Sequence, residues 1–377
     1  VENSVRSKFF AYTFLAMSRT VQTLSREARK RAIGDGTSIR EAIRSVLDEH
    51  VESSDEAVLD EASMHQDLHR TLTGFAFLQP FLDDESIEEI WINRPGEIRY
   101  AKNGLNFEEL TSFNADDLKT QVERLIRLSG RRLDRSTPFI DAQLGSGYRL
   151  HAVIPDITRE HLSLNIRKFS ESVLTLRDLV AANVLSAEQA DLLINRLNQG
   201  QNLLISGATQ AGKTTLLSAL ISGLDPQERI VSVEDTFELR CLLPDWVAMQ
   251  TRPPSTEGRF EVDLRQLVRE SLRMRPSRLV VGEVRGAEAL DLLIAMNSGI
   301  PGLCTIHANS AQEALKKLQT LPLLAGSNIS SDFLRSIIGG CVNLFVHCSR
   351  SPTGERRVTS IQEMTDPENL GLSDVQL

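Results

Sequence analysis

The sequence predicts an α/β protein whose second half is a P-loop domain with a parallel-sheet core, preceded by a small α+β domain and a helical extension. Three observations carry this. From Gln201 onward, short apolar runs alternate with amphipathic ones, the pattern of buried strands joined by covering helices. Between the first such strand, "NLLIS", and the helix "KTTLLSALISGL" lies "GATQAGKT", a G-x-x-x-x-G-K-T loop. Residues 75–170 instead carry strand-like runs broken by Arg-Pro-Gly and Asn-Gly.

The composition fits this. The chain has 377 residues, 41% apolar and 25% charged, which is ordinary for a globular protein of two or three domains. The longest early apolar run, Phe9 to Met17, falls far short of the ~20 residues needed to cross a bilayer. The four cysteines, Cys241, Cys304, Cys341 and Cys348, form no CxxC pair, so they read as buried thiols rather than zinc ligands. A net charge of −9 argues against a direct nucleic-acid partner. Residues 1–45 hold nine Lys/Arg against four Asp/Glu, and residues 46–70 hold eight Asp/Glu against one Arg. The basic stretch is either a solvated helix face or a contact for an acidic membrane surface or partner.

In chain order, residues 1–72 form the helical extension. Phe10, Phe14, Met17, Val21 and Leu24 make one apolar stripe, and Gly34-Asp35-Gly36 ends it. Ser38 with Glu41 opens a second helix carrying Ile43, Val46 and Leu47, and a third covers Asp55 to Leu72. Residues 73–170 form the α+β domain. Its strands are "IEEIWIN", "EIRYAKN", "LNFEEL", "YRLHAVI" and "HLSLNIRKF", with a helix capped by Asn114. Residues 171–200 read as a hinge and linker helix. Residues 201–377 form the P-loop domain, with strands "NLLIS", "RIVSVED", "RLVVGEV" and "LCTIHAN".

The loop residues Gly207, Ala208, Thr209, Gln210, Ala211, Gly212, Lys213, Thr214 and Thr215 are the candidate nucleotide cradle. Successive backbone N–H groups curl round a β-phosphate, and the following helix points its positive end at the same group. Lys213 reaches β/γ oxygens, and the Thr214 hydroxyl meets Mg²⁺. No Asn-Lys-x-Asp stretch is present to read guanine, which favours ATP. Glu283 ends a buried strand, where an acid can orient a water. Many P-loop proteins carry Asp before this Glu; here it is Gly282. Glu234 and Asp235, at a neighbouring strand end, either assist the metal through water or cap the next segment. His307, at a third strand end, either senses the γ-phosphate or is structural.

The order Walker A, "EDTFEL", "RMRPSRLVVGEVRG", "CTIHANS" resembles the secretion and pilus traffic ATPase superfamily, most of all the CpaF-like ATPases of Tad/Flp pili and the type IV secretion ATPases. The similarity runs from about Leu72 to Cys348. It implies a RecA-like motor domain in a homo-hexameric ring, ATP and Mg²⁺ as ligands, and Arg149 and Arg167 of the preceding domain reaching the phosphates. It also implies an inner-membrane platform protein as partner, at the cytoplasmic face of the membrane. Pilus assembly is the expected output; type IV secretion or conjugative transfer, or a nucleotide-gated docking platform with little hydrolysis, are the rival readings. The chain departs from the family pattern at Gln210, often Gly in relatives; at Ile300, often His; and at Asp156 to His161, where a Gly-rich link is expected.

Overall fold

The computed structural model describes residues 23–24, 27–28, 30–31, 39–53, 75–127, 131–144, 148–169, 174–254 and 259–376. The chain divides into two compact units, Val1–Phe169 and Ser170–Leu377.

In the first unit the helix Ile39–Ser53 buries Ala42, Ile43, Val46 and Leu47 against Leu24 and Ala28. Phe10, Phe14, Met17, Val21, the Gly34–Gly36 break and the helix expected over Asp55 to Leu72 lie outside the described residues. The strands are β1 (Ile87–Arg94), β2 (Glu97–Lys102), β3 (Leu105–Leu110), β4 (Phe139–Gln143), β5 (Arg149–Val153) and β6 (Ser163–Arg167). They form one sheet in the order β3-β2-β1-β6-β5-β4. Alternation sends Ile90, Ile92, Leu150, Leu164 and Ile166 to one face. There they meet Leu118, Val122 and Leu125 of the helix Ala115–Arg127. The short edge strand β4 was not anticipated; "FIDAQ" follows Pro138 and offers only two buried positions, Ile140 and Ala142.

The second unit has an eight-stranded sheet. Its strands are β7 (Leu203–Gly207), β8 (Ile230–Glu234), β9 (Trp246–Gln250), β10 (Arg278–Val284), β11 (Gly302–His307), β12 (Leu344–Arg350), β13 (Arg356–Asp366) and β14 (Gly371–Asp374). Their order is β14-β13-β12-β7-β11-β10-β8-β9. From β12 to β9 every pairing is parallel, as the apolar strands require. The β13 and β14 pairings are antiparallel, so the whole sheet is mixed. The helices Lys213–Ser222 and Ala187–Asn198 cover one face, where Leu193, Leu197, Leu216 and Leu220 pack on Leu203, Ile205 and Val346. The helices Leu264–Ser271, Glu288–Asn297, Ala311–Thr320 and Ser331–Cys341 cover the other. Residues 176–198, expected as a hinge and linker helix, supply Leu179, Leu193 and Leu197 to this core. Their two helices open with complete capping boxes at Thr175 and Ser186. Among the described residues no helix is long and apolar enough to cross a membrane.

Phe345 of β12 is fully buried among helix side chains of one face. Phe345→Ala is expected to destabilise the second unit by about 3–5 kcal/mol, read as a lower urea midpoint for the transition of that unit.

Candidate active site

The site grows out of strand ends. β7 is buried along its whole length and ends at Gly207. There the loop turns, and the helix Lys213–Ser222 begins beneath it. Gly207 is obligatory at this turn: a Cβ would lie 2.5 Å from the carbonyl oxygen of Cys348 on β12. The Lys213 side chain is 8% exposed and folds back over the loop. Its Nζ donates to the carbonyl oxygens of Gly207 and Ala208, both at 3.0 Å. Ala208, Thr209 and Thr215 are exposed, Thr214 is half-buried, and Ala211 anchors the loop in the core.

β11 lies beside β7, with His307 in register with Gly207. This pairing brings His307 Nδ1 to 3.5 Å from Lys213 Nζ, and its Nε2 to 3.4 Å from Thr209 Oγ1. Partial burial, then the Lys213 charge, lowers the His307 pKa, so the ring favours its neutral form. A neutral ring facing an ammonium keeps its lone pair on Nδ1 and its proton on Nε2. Lys317 Nζ donates to the His307 carbonyl at 2.6 Å and fixes the end of the strand.

Glu283 stands on the next strand, β10. Val281 pairs with Cys304 and Val284 with Ile306, so β10 spends three residues where β11 spends two. The extra residue is a bulge at Gly282-Glu283, held by a 2.6 Å bond from Thr305 Oγ1 to the Gly282 carbonyl. The Glu283 carboxylate accepts from Arg285 at 2.5 Å, and Arg285 also lies 3.6 Å from Asp235, exposed just past the end of β8. With strands about 4.8 Å apart, β10 lies about 10 Å from the loop strand and β8 about 14 Å.

Glu234 ends β8 at 2% exposure. Its Oε2 accepts the N–H groups of Glu238 and Leu239, both at 2.8 Å, so this oxygen caps the following segment. Its Oε1 is buried with no hydrogen-bond partner. Burial pushes the carboxyl up to about 7. Glu234 also accounts for Gly282: a Cβ there would lie 2.9 Å from Glu234 Cγ, so an aspartate at 282 would displace it. Among the described residues no three acidic, histidine or cysteine side chains cluster as a metal site. The residues that would hold a Mg²⁺ ion carried with phosphate are Thr214, whose side chain is half-buried, and, through water, Asp235 or Glu234, whose Oε1 has no hydrogen-bond partner.

Gln210 has a φ of +61°, a left-handed conformation that costs a non-glycine residue roughly 1–2 kcal/mol. Arg350 donates to its side-chain oxygen, and Arg356 Nε donates to its carbonyl at 2.9 Å. The sequence reading missed both arginines, as well as Arg285 and Lys317. Arg285, two residues after Glu283, was within reach of a sequence argument; Arg350 and Arg356 come to the loop only through the β12 pairing with β7. In the first unit, Arg149 and Arg167 are direct cross-strand partners on β5 and β6. Arg149 lies 3.4 Å from Asp141, and the Arg167 guanidinium stands 5.5 Å from the centre of the Phe169 ring.

The fold and loop define an α/β protein with a lysine-bearing phosphate loop at the carboxyl edge of its parallel strands. The chain belongs to the type II/IV secretion system protein family, which it matches over residues 71–368. A Mycobacterium tuberculosis (strain H37Rv) protein named for conjugal transfer is 36% identical over 309 residues, covering 80% of this chain and 87% of that one. The type IV secretion system protein PtlH of Bordetella pertussis is 34% identical over 315 residues, covering 75% and 92%. The fold is similar to that of the ATPase DotB of Yersinia pseudotuberculosis, with a TM-score of 0.57 at 16% identity over 80% of this chain and 81% of that one.

The raised Glu234 pKa fixes a sign for stability. The folded state holds the proton from the ordinary value of 4.5 up to about 7, while the unfolded chain has lost it. Stability is therefore full below pH 4.5 and falls as pH rises through 7, by on the order of 3 kcal/mol from this group. Unfolding midpoints measured against pH with chelator present should show this slope, and Glu234→Gln should flatten it.

Proposed function

We propose that the chain hydrolyses ATP to ADP and phosphate, and that this drives a membrane-embedded secretion or pilus machine. The observation that carries the reading is the 3.5 Å approach of Lys213 Nζ to His307 Nδ1, beside the strand end bearing Glu283. Lys213 exchanges its loop carbonyls for β- and γ-phosphate oxygens. Thr214 would hold a Mg²⁺ ion, with Glu234 or Asp235 assisting through water, and such an ion would supply positive charge to the phosphates. Glu283 orients the attacking water and accepts its proton as Arg285 shifts toward Asp235. His307, neutral, reads the γ-phosphate through its Nε2 proton. Arg149 and Arg167 supply positive charge to the transferred phosphoryl.

In this reading the second unit is a RecA-like motor working in a homo-hexamer. The ring docks on an inner-membrane platform protein at the cytoplasmic face. Resemblance to CpaF-like proteins favours assembly of a Tad/Flp-type pilus. The relatives named for conjugal transfer and type IV secretion support those outputs equally. A deletion strain assayed for surface pili and for conjugal or protein transfer separates them: the output that is lost is the one this chain powers.

Purified protein should turn over ATP. Lys213→Ala should abolish turnover, and Glu283→Gln should lower kcat by about 100-fold or more while ATP still binds. Wild-type turnover by either variant removes the assigned role. Arg167→Ala should lower kcat by about 1,000-fold with little change in ATP affinity; an unchanged kcat would leave Arg167 a surface residue.

A further inference from the structure

The phosphate loop is gripped from outside at one residue. Gln210, the fourth residue of the G-x-x-x-x-G-K-T stretch, holds a left-handed backbone that glycine would adopt freely. Arg350 closes β12, and Arg356 opens β13 as its direct cross-strand partner. Two like charges placed opposite each other repel unless something lies between them. Gln210 is one group that lies between them, with its side-chain oxygen on Arg350 and its main-chain oxygen on Arg356. The Arg356 side chain also lies against the loop further on, its Cδ 3.5 Å from where a Gly212 Cβ would stand. A glycine at 210 offers the carbonyl but no acceptor for Arg350.

We propose that Gln210, Arg350 and Arg356 form a latch that commits the phosphate loop to its binding conformation and so sets nucleotide affinity. These are positioning residues: the arginines act on the nucleotide through Gln210. The proposal rests on the nucleotide reading of the same loop. A loop already ordered by charge-assisted hydrogen bonds loses less freedom when a triphosphate settles on it. The β12–β13 hairpin thereby becomes part of the nucleotide switch, since a displacement of either arginine loosens the cradle.

A double-mutant cycle on the full-length protein tests this, read as the Kd and dissociation rate of a fluorescent ATP analogue with Mg²⁺. Arg350→Ala should weaken binding about tenfold, mainly through faster dissociation. In a Gln210→Ala background, which keeps the strained backbone position but removes the acceptor, the same change should cost less than about twofold. Arg350→Lys, which keeps a donor, should lie closer to wild type than Arg350→Ala does. The melting temperature of each variant separates loosened binding from lost folding. Equal effects of Arg350→Ala in both backgrounds would mean that the arginine acts on the ligand directly, and would overturn the latch. Unchanged affinity in every variant overturns it too. If the wild type binds no nucleotide at all, the reading of the loop fails and takes the latch with it; normal wild-type binding with equal arginine effects removes the latch alone.

Discussion

Backbone register between three parallel strands is the constraint on which the site depends. Gly207 faces His307 across β7 and β11, and Ile306 faces Val284 across β11 and β10. These pairings consist of main-chain hydrogen bonds between strands that are buried on both faces, where a slip of one residue would expose polar groups and misplace every side chain. The ladder therefore sets His307 beside the loop strand and Glu283 on the strand beyond it, and Lys213 folds back over the loop to within 3.5 Å of the histidine.

Around that frame the charges are arranged so that each group has an alternative partner. Lys213 rests on carbonyls, a neutral acceptor set that a phosphate easily outcompetes. Arg285 lies between Glu283 and Asp235, with one guanidinium nitrogen on Glu283 and the other 3.6 Å from Asp235, so a single cation serves both carboxylates. Glu234 is different. Buried, with one oxygen committed to two backbone amides, it serves the turn after β8 first, and only its second oxygen is open to another role.

Much of this was legible in the sequence, for physical reasons. Apolar runs such as "LLIS" and "LVV", short and alternating with amphipathic stretches, read as strands buried on both faces, and a glycine-lysine loop between such a strand and a helix reads as a phosphate cradle. The parallel strand ends bearing Glu234, Glu283 and His307 followed from the same alternation. The features that stayed hidden depended on long-range pairing. β9 is half-exposed throughout, and β13 mixes charges with apolar residues, so neither has a clean period. Gly282 reads in the sequence as a missing acid, and the structure places Glu234 over it. Gln210 is visible in the sequence only as a departure from the family pattern, because nothing local announces Arg350 and Arg356, which lie 140 and 146 residues away.

The bulge in β10 has a consequence for how this strand can vary. Side chains along a regular ladder alternate between the two helix layers, and the one surplus residue resets that alternation just before the sheet ends. Shortening the stretch between Val281 and Val284 by one residue would restore an unbroken ladder and leave Val284 on the same helix layer as Val281, but it would remove the surplus residue that sets where Glu283 points. Substitutions of similar size can drift within this strand, but its length is fixed: the spacing that aims the glutamate is counted in peptide units.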